Sequence, residues 1–543
     1  MKQVKNIVII GGGTSGWTTA LNFLNRTDNV NITVVATPEK PIIGVGESTT
    51  GLTNSLINFN RNINIDEKEF LQKTNSTFKI GIHHKDWHTV GESFYSPLGD
   101  EFENSTYHPS IDYDYYRIYH IAKGNKPYTQ VQGSFMKERK TQFLWVPEND
   151  PYKEAYGGAH GKVDLKFTHV AYHLDAVQTG VYLKDKILKD RPDRVSYIEN
   201  LVTNVNRDDK GFVTSLKTKE GNLIKGDLFV DCSGFFRLLI NDDNDFISWE
   251  NNLTTNRAII FPKEYDDYSD MNPYTTAQAR KNGWEFNIPL QHRVGRGYIF
   301  NDRLISVDQA KEEIDQVYGH DVEIKKDIKF TPGRMKKAWN KNVLSVGLST
   351  GFVEPLEATA IHMSILQVNI FCRQFFTEFM SFDEEYQQDT YNRIIGDTWD
   401  DIRDFIVAHY FNTRKDTDFW IEASSDDRMS PRLKGLKETW KTRMPRFSDY
   451  SSSNFFNFYN LGNTLWYQIL IGMKVLNPEV AERELKSFGL WDIAEEHYKI
   501  RNDFIKHVTK LGLSPKEFYK NELQYLHEYY KVPMKYVDER KQI

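Results

Sequence analysis

Val4-Lys5-Asn6-Ile7-Val8-Ile9-Ile10-Gly11-Gly12-Gly13-Thr14-Ser15-Gly16 is the stretch whose reading decides the fold. The β-branched run over 7–10 predicts a buried strand, the glycines a tight turn, and Trp17–Leu24 carries apolar residues at helical spacing. A second β-branched run, Asn31–Val35, completes a βαβ unit. Such a unit turns backbone amides toward a pyrophosphate with no Cβ in the way.

Two later segments read as parts of the same site. Between Asp164 and Leu239 the pattern predicts a helix around Tyr172–Leu188 and short strands near Ser196–Asn206 and Phe212–Thr218. A further strand ends in Asp231-Cys232-Ser233-Gly234, suited to a second nucleotide contact. After Asn342–Gly347 a glycine-containing loop enters a long helix, roughly Ala360–Met380. The expected organisation is an α/β dinucleotide-binding module within 1–375, discontinuous over about 1–60, 164–240 and 340–375. Substrate-side insertions rich in strand signals fall at about 80–160 and 240–335, and 376–543 reads as a mainly helical, substrate-covering module.

The 543 residues are 39% hydrophobic and 27% charged, an ordinary globular balance, and the net charge of −6 offers no general attraction for nucleic-acid phosphate. Two cysteines, Cys232 and Cys372, make no disulfide framework, which fits a reducing cytoplasm. Neither a signal-peptide h-region nor a run of about 20 apolar residues is present in the sequence. His83-His84 is no metal pair, because consecutive residues of a strand point to opposite faces.

The glycine motif alone serves NAD, NADP and FAD alike. Further runs sharpen it: Gly44-Val45-Gly46-Glu47-Ser48-Thr49-Thr50, and Gly347-Leu348-Ser349-Thr350-Gly351-Phe352-Val353-Glu354-Pro355-Leu356-Glu357-Ala358-Thr359-Ala360-Ile361-His362. With Phe78-Lys79-Ile80-Gly81-Ile82, Tyr172–Ala176, Trp284-Glu285-Phe286-Asn287-Ile288-Pro289 and His409–Trp420, these make the chain resemble the flavin-dependent halogenases of the tryptophan-halogenase family over most of its length. The resemblance implies an FAD-binding Rossmann-like module of the glutathione-reductase and aromatic-hydroxylase type, with an inserted β-sheet substrate region and a helical C-terminal module. It also implies an enzyme that uses reduced FAD, oxygen and a halide co-substrate (chloride, bromide or iodide) to make hypohalous acid.

By the same resemblance, Lys79 receives that acid, as a haloamine or by hydrogen bonding, and Glu357 lies near it to orient the electrophile. Without the motif, Lys79 would read as a solvated surface lysine and Glu357 as a helix cap. Thr359 and Ala360 match the halide position, where backbone N–H groups hold an anion. The implied cofactor set is Gly11, Gly13 and Gly16 at the pyrophosphate, with Thr14, Ser15, Gly46, Glu47, Ser48, Val202, Leu348 and Ile361. Strand Ile32–Val35 ends in Ala36, where an acid commonly binds the ribose, and Glu39 is the substitute expected.

The W-x-W-x-I-P signature stands here with Trp284, Phe286, Ile288 and Pro289, one indole having become phenyl. In the family these rings lie near the flavin; period 2 alone would make Trp284 and Phe286 same-face core residues. Trp87, Tyr410, Phe411, Trp420, Trp466 and Tyr467 are candidate substrate-side aromatics, most of them expected in the core. Two rivals share the scaffold: an FAD-dependent aromatic monooxygenase, and a non-catalytic prenyl-protein carrier. No second nicotinamide-type motif is present, so a separate NAD(P)H-dependent flavin reductase is the expected partner, beside a small aromatic substrate. A homo-oligomer is compatible with this reading; nucleic acid and membrane are not expected partners.

Overall fold

Ile7, Val8, Ile9 and Ile10 are all buried, so the first strand has no solvent face and belongs at the middle of a parallel sheet. The computed structural model describes residues 2–37, 46–58, 60, 62–98, 107–108, 113–124, 131–166, 170–240, 245–265, 267–268, 271–449 and 462–533. It divides into two units: Met1–Ser76, Leu174–Asn256 and Lys329–Arg403, and Thr77–His173, Arg257–Ile328 and Asp404–Ile543.

In the first unit six strands follow the order Val195–Glu199, Asn31–Ala36, Asn6–Ile10, Leu228–Asp231, Val343–Ser345 and Trp339–Asn340. The first five are parallel and the last is antiparallel. Helix Thr14–Arg26 covers this sheet and lies against helix Thr359–Gln374, where Asn22 Nδ2 donates to the Ile365 carbonyl at 3.1 Å and Phe23 meets Phe371 edge-on at 6.4 Å. The predicted helix around Tyr172–Leu188 is corrected: Ala171–Leu174 is a strand and the helix runs Ala176–Asp190. The Asp175 carboxylate accepts from the N–H groups of Val177 and Gln178 at 3.1 and 3.0 Å, and that cap marks the true start. The helix expected to reach Met380 ends at Gln374, because Phe379–Met380 pairs instead with Lys2–Gln3.

In the second unit a sheet runs Arg257–Ile260, Arg293–Phe300, Gly283–Pro289, Thr275–Ala279, Gly81–Lys85 and Ser93–Pro97. Only the pairing of Thr275–Ala279 with Gly81–Lys85 is parallel. Short strand Thr77–Lys79 pairs antiparallel with Ala171–Leu174, setting Lys79 opposite Ala171. Helices Asp418–Ala423, Pro431–Thr439, Gly462–Gly472, Pro478–Ser487 and Trp491–Leu511 follow, and the chain returns as Tyr530–Pro533, parallel to Gly161–Lys166. Among the described residues no helix is long and apolar enough to cross a membrane.

Candidate active site

A cavity of about 610 Å³ opens in the first unit where the strand ends meet the start of helix Thr14–Arg26. Ile10, Gly11, Gly12, Gly13, Thr14 and Ser15 line it, as do Cys232, Ser233 and Gly234 from the neighbouring strand end. Two glycines are obligatory. Gly11 has φ +116°, and a Cβ there would sit 2.2 Å from the Cys232 carbonyl oxygen; a Cβ on Gly16 would sit 1.8 Å from the Gly11 oxygen. Gly16 therefore does not line the cavity but lets helix and turn close on each other, while Gly11 and Gly13 stay exposed to a ligand.

Asp231, fully buried, fixes the opposite wall. Its Oδ1 accepts from Ser233 N–H at 3.0 Å, Ser233 Oγ at 2.6 Å and Ser349 Oγ at 3.1 Å, and its Oδ2 accepts from Leu239 N–H at 2.6 Å. One carboxylate thus ties the 232–240 loop to the turn at Gly347–Ser349. The sequence pattern singled out the Asp-Cys-Ser-Gly run but carried no signal for this hub.

Glu47, Val202, Leu348, Ala360 and Ile361 also line the cavity; Gly46, Ser48 and Thr359 are buried beside these residues in sequence without lining it. Glu39 lies outside the described residues. At the rim stand Tyr197, Glu199 and Asn200, which sequence reasoning missed. Glu199 pairs in register with Ala36, and the Tyr197 hydroxyl donates to Glu199 Oε2 at 3.4 Å. The only hint in sequence was the missing acid at Ala36.

Helix Thr359–Gln374 starts beside this cavity in an unusual way. Ala358 has φ 59° and ψ 34°, a left-handed conformation that costs a non-glycine residue about 1–2 kcal/mol. It separates the tight turn Pro355–Glu357 from the helix, and as the N-cap residue it has no side chain able to cap the first N–H groups. Glu357, the last residue of that turn, is buried, 7% exposed. The uncapped N–H groups form an electropositive end suited to an anion. His362, one turn in, holds Thr50 Oγ1 through Nδ1 at 2.7 Å, and burial pushes its pKa down to about 3.

In the second unit Lys79 is only 1% exposed. Its neighbour Phe78 is locked by the rings of Phe143, Tyr172 and Phe518 and donates its N–H to the Tyr519 hydroxyl at 2.6 Å, and strand alternation puts Lys79 on the other face. Two residues earlier, Thr77 Oγ1 donates to the Pro289 carbonyl at 2.6 Å and meets His173 Nδ1 at 2.9 Å, while His173 Nε2 meets Thr275 Oγ1 at 3.0 Å. Burial, aided by the Lys79 charge, holds the His173 imidazole well below its usual pKa. His84 is likewise depressed, by burial first and then by His409, His83 and Lys79. The Lys79 amine thus sits among imidazoles kept neutral.

His83 and His84 do face opposite ways: His83 stacks on Tyr95 at 4.1 Å, and His84 on Phe94 at 4.6 Å. Trp284 and Phe286 are same-face residues, ring centroids 6.4 Å apart, and Phe286 lies over Gly297; Ile288 and Pro289 continue the strand, buried. Of the substrate-side aromatics, Trp87 gives its indole N–H to the Ala277 carbonyl at 2.9 Å, Trp420 to that of Arg280 at 2.8 Å, and the Tyr467 hydroxyl donates to Pro445 at 2.7 Å. These rings, with Tyr410, Phe411 and Trp466, are core.

The parallel sheet, the glycine turn at a strand end and the cavity that this turn lines define a dinucleotide-binding protein of the Rossmann type. A family model described as tryptophan halogenase matches residues 6–487, and the chain belongs to that family of flavin-dependent halogenases. Tryptophan 6-halogenase ThaL from Streptomyces albogriseolus is 31% identical over 503 residues, covering 88% of this chain and 91% of that protein. The crystal structure of a tryptophan halogenase from Shewanella frigidimarina shares the fold, with TM-score 0.83, 23% identity and coverage of 96% and 98%. Tar14, a tryptophan C-6 flavin-dependent halogenase (chlorinase) from taromycin biosynthesis, gives TM-score 0.80 at 25% identity, covering 96% and 100%. Of the readings open in the sequence, these matches favour halogenation over aromatic hydroxylation or a carrier role.

Proposed function

We propose that the enzyme halogenates an electron-rich aromatic, an indole or a phenol, through Lys79, with Glu357 as its carboxylate partner. The observation that carries this is a lysine 1% exposed at the end of a strand and beside neutral imidazoles. Desolvation favours the neutral amine and a nearby carboxylate the ammonium, and only the neutral amine can bond to halogen. Attack of the Lys79 nitrogen on the halogen of HOX releases water and leaves a haloamine; a protonated Lys79 would instead hold and polarise HOX by hydrogen bonding. The aromatic ring then takes the halogen and loses a proton, for which Glu357 is the proposed base or electrostatic partner. This assignment requires Lys79 and Glu357 to converge.

FAD, bound in its reduced form, would supply the two electrons that activate oxygen, and the activated oxygen would take two more from the halide. The residues fit it. Gly11 and Gly13 leave room for a pyrophosphate, and Glu199 is the proposed ribose ligand in place of Glu39. Gly46, Glu47, Ser48, Leu348 and Ile361 are assigned to the flavin side. Thr359 and Ala360 are the proposed halide ligands through their N–H groups at the uncapped helix start. Trp284 and Phe286 are assigned to keeping organic substrate from the flavin. Reduced FAD is proposed to come from a separate reductase.

Purified protein, given reduced FAD, oxygen and one halide at a time, should convert members of an indole and phenol panel, free tryptophan among them, to products heavier by the halogen used. Products heavier by one oxygen, unchanged on switching halide, would end this reading. Substantial NADH oxidation by the isolated chain would remove the need for a reductase.

A further inference from the structure

The second unit carries a groove of about 850 Å³ lined from helices Tyr115–Ala122, Val131–Lys137 and Trp491–Leu511. Four lysines line it, Lys137, Lys140, Lys506 and Lys510, against one carboxylate, Glu138. Lys506 and Lys510 are one helical turn apart and share a face. His120 lines the same groove, is 7% exposed, and neither of its ring nitrogens has a hydrogen-bond partner. The edges of Tyr116 and Tyr498, each 4.8 Å away, fix its ring. Burial, and then the Arg501 charge, push its pKa down to about 3, so the neutral ring offers one N–H donor and one lone pair. A polar group left unpaired and buried is destabilising, and a ligand atom would recover that cost. Ser134, which also lines the groove, is held by Thr509 Oγ1 at 2.8 Å, whose own hydrogen goes to the Ile505 carbonyl at 2.6 Å.

We propose that this groove binds a phosphorylated small molecule, with its phosphate among the four ammonium groups and another polar atom of the same ligand on the His120 imidazole. Lys506 pairs with Asp503 at 3.8 Å, and the lining's cations still outnumber the carboxylates, which favours a multiply charged anion over a halide or a single carboxylate. The volume falls in the range of small-molecule sites, about 300–1,000 Å³, so a bare ion would leave most of it empty. The halogenation chemistry uses none of these residues.

The test uses enzyme saturated with FAD, so that the pyrophosphate cradle of the first unit is occupied, titrated calorimetrically with inorganic phosphate and with AMP as a phosphate-ester probe. Saturable one-to-one binding of AMP, tighter than that of inorganic phosphate, is expected. Lys506→Glu with Lys510→Glu, both exposed, should weaken AMP binding at least about tenfold while FAD affinity stays unchanged. His120→Phe, which keeps the ring packing, should weaken it by a similar factor. Absence of saturable binding, an affinity unchanged by the lysine reversals, or one indifferent to His120 would overturn the proposal.

Discussion

Glu199 stands opposite Ala36 in the parallel pairing of Val195–Glu199 with Asn31–Ala36, and both residues rim the nucleotide cavity. The acid missing from the end of one strand is therefore present at the end of the next, about 5 Å across the sheet. A carboxylate at that rim can accept from both ribose hydroxyls. Glu199→Ala should weaken FAD binding about tenfold, the worth of one charge-assisted hydrogen bond. Riboflavin, which lacks the adenosine half, should bind both proteins equally in a fluorescence-quenching titration. Equal FAD affinities would remove Glu199 from the site.

Lys79→Met separates a chemical role from a structural one. Product formation should fall at least about a hundredfold, with FAD binding and peroxide release retained. A melting temperature within a few degrees of the parent's would show that the lost activity is not lost fold. Retained halogenation at the original ring position would show that another group carries the halogen.

Gly16→Ala should be far more damaging than an alanine at an ordinary helix position. The added carbon would lie 1.8 Å from the Gly11 carbonyl oxygen, so the helix must move away from the turn. Loss of FAD binding and a destabilisation of at least about 2 kcal/mol in urea unfolding are expected. Normal FAD affinity would show that the turn and the helix need not touch.

Stability should fall as pH drops below about 6.5. The imidazoles of His83, His120 and His362 are pushed down to about 3 in the fold, by burial first, and those of His84 and His173 lie well below the usual value. Above pH about 7.5 these groups are neutral in both states and contribute no slope. Between about 6.5 and 3 the unfolded chain takes up protons that the fold refuses, which favours unfolding. Each of the three costs on the order of 1 kcal/mol at pH 5.5, a few kcal/mol together. Urea titrations at pH 8, 6.5 and 5.5 measure this; equal stability at all three would mean these histidines are protonated in the fold.

Local pattern determined a good deal. The run from Val4 to Gly16 specifies strand, turn and helix because its apolar and glycine positions leave no other conformation that buries one and tolerates the other. The motifs around Lys79 and Glu357 led to the family that the comparisons show. Residues whose meaning depends on a neighbour far along the chain were illegible. Glu199 looks like any exposed strand-end acid until Ala36 lies beside it, 163 residues earlier. Asp231 reads as a strand terminus, yet its oxygens organise Ser233, Leu239 and Ser349. His173 sits in a helical-looking run but is a strand residue bracing Thr77, two positions before the lysine. Periodicity reports which face of an element is apolar; hydrogen-bond partners and depressed imidazole pKa values arise only when distant segments exclude water together, and that belongs to the tertiary structure alone.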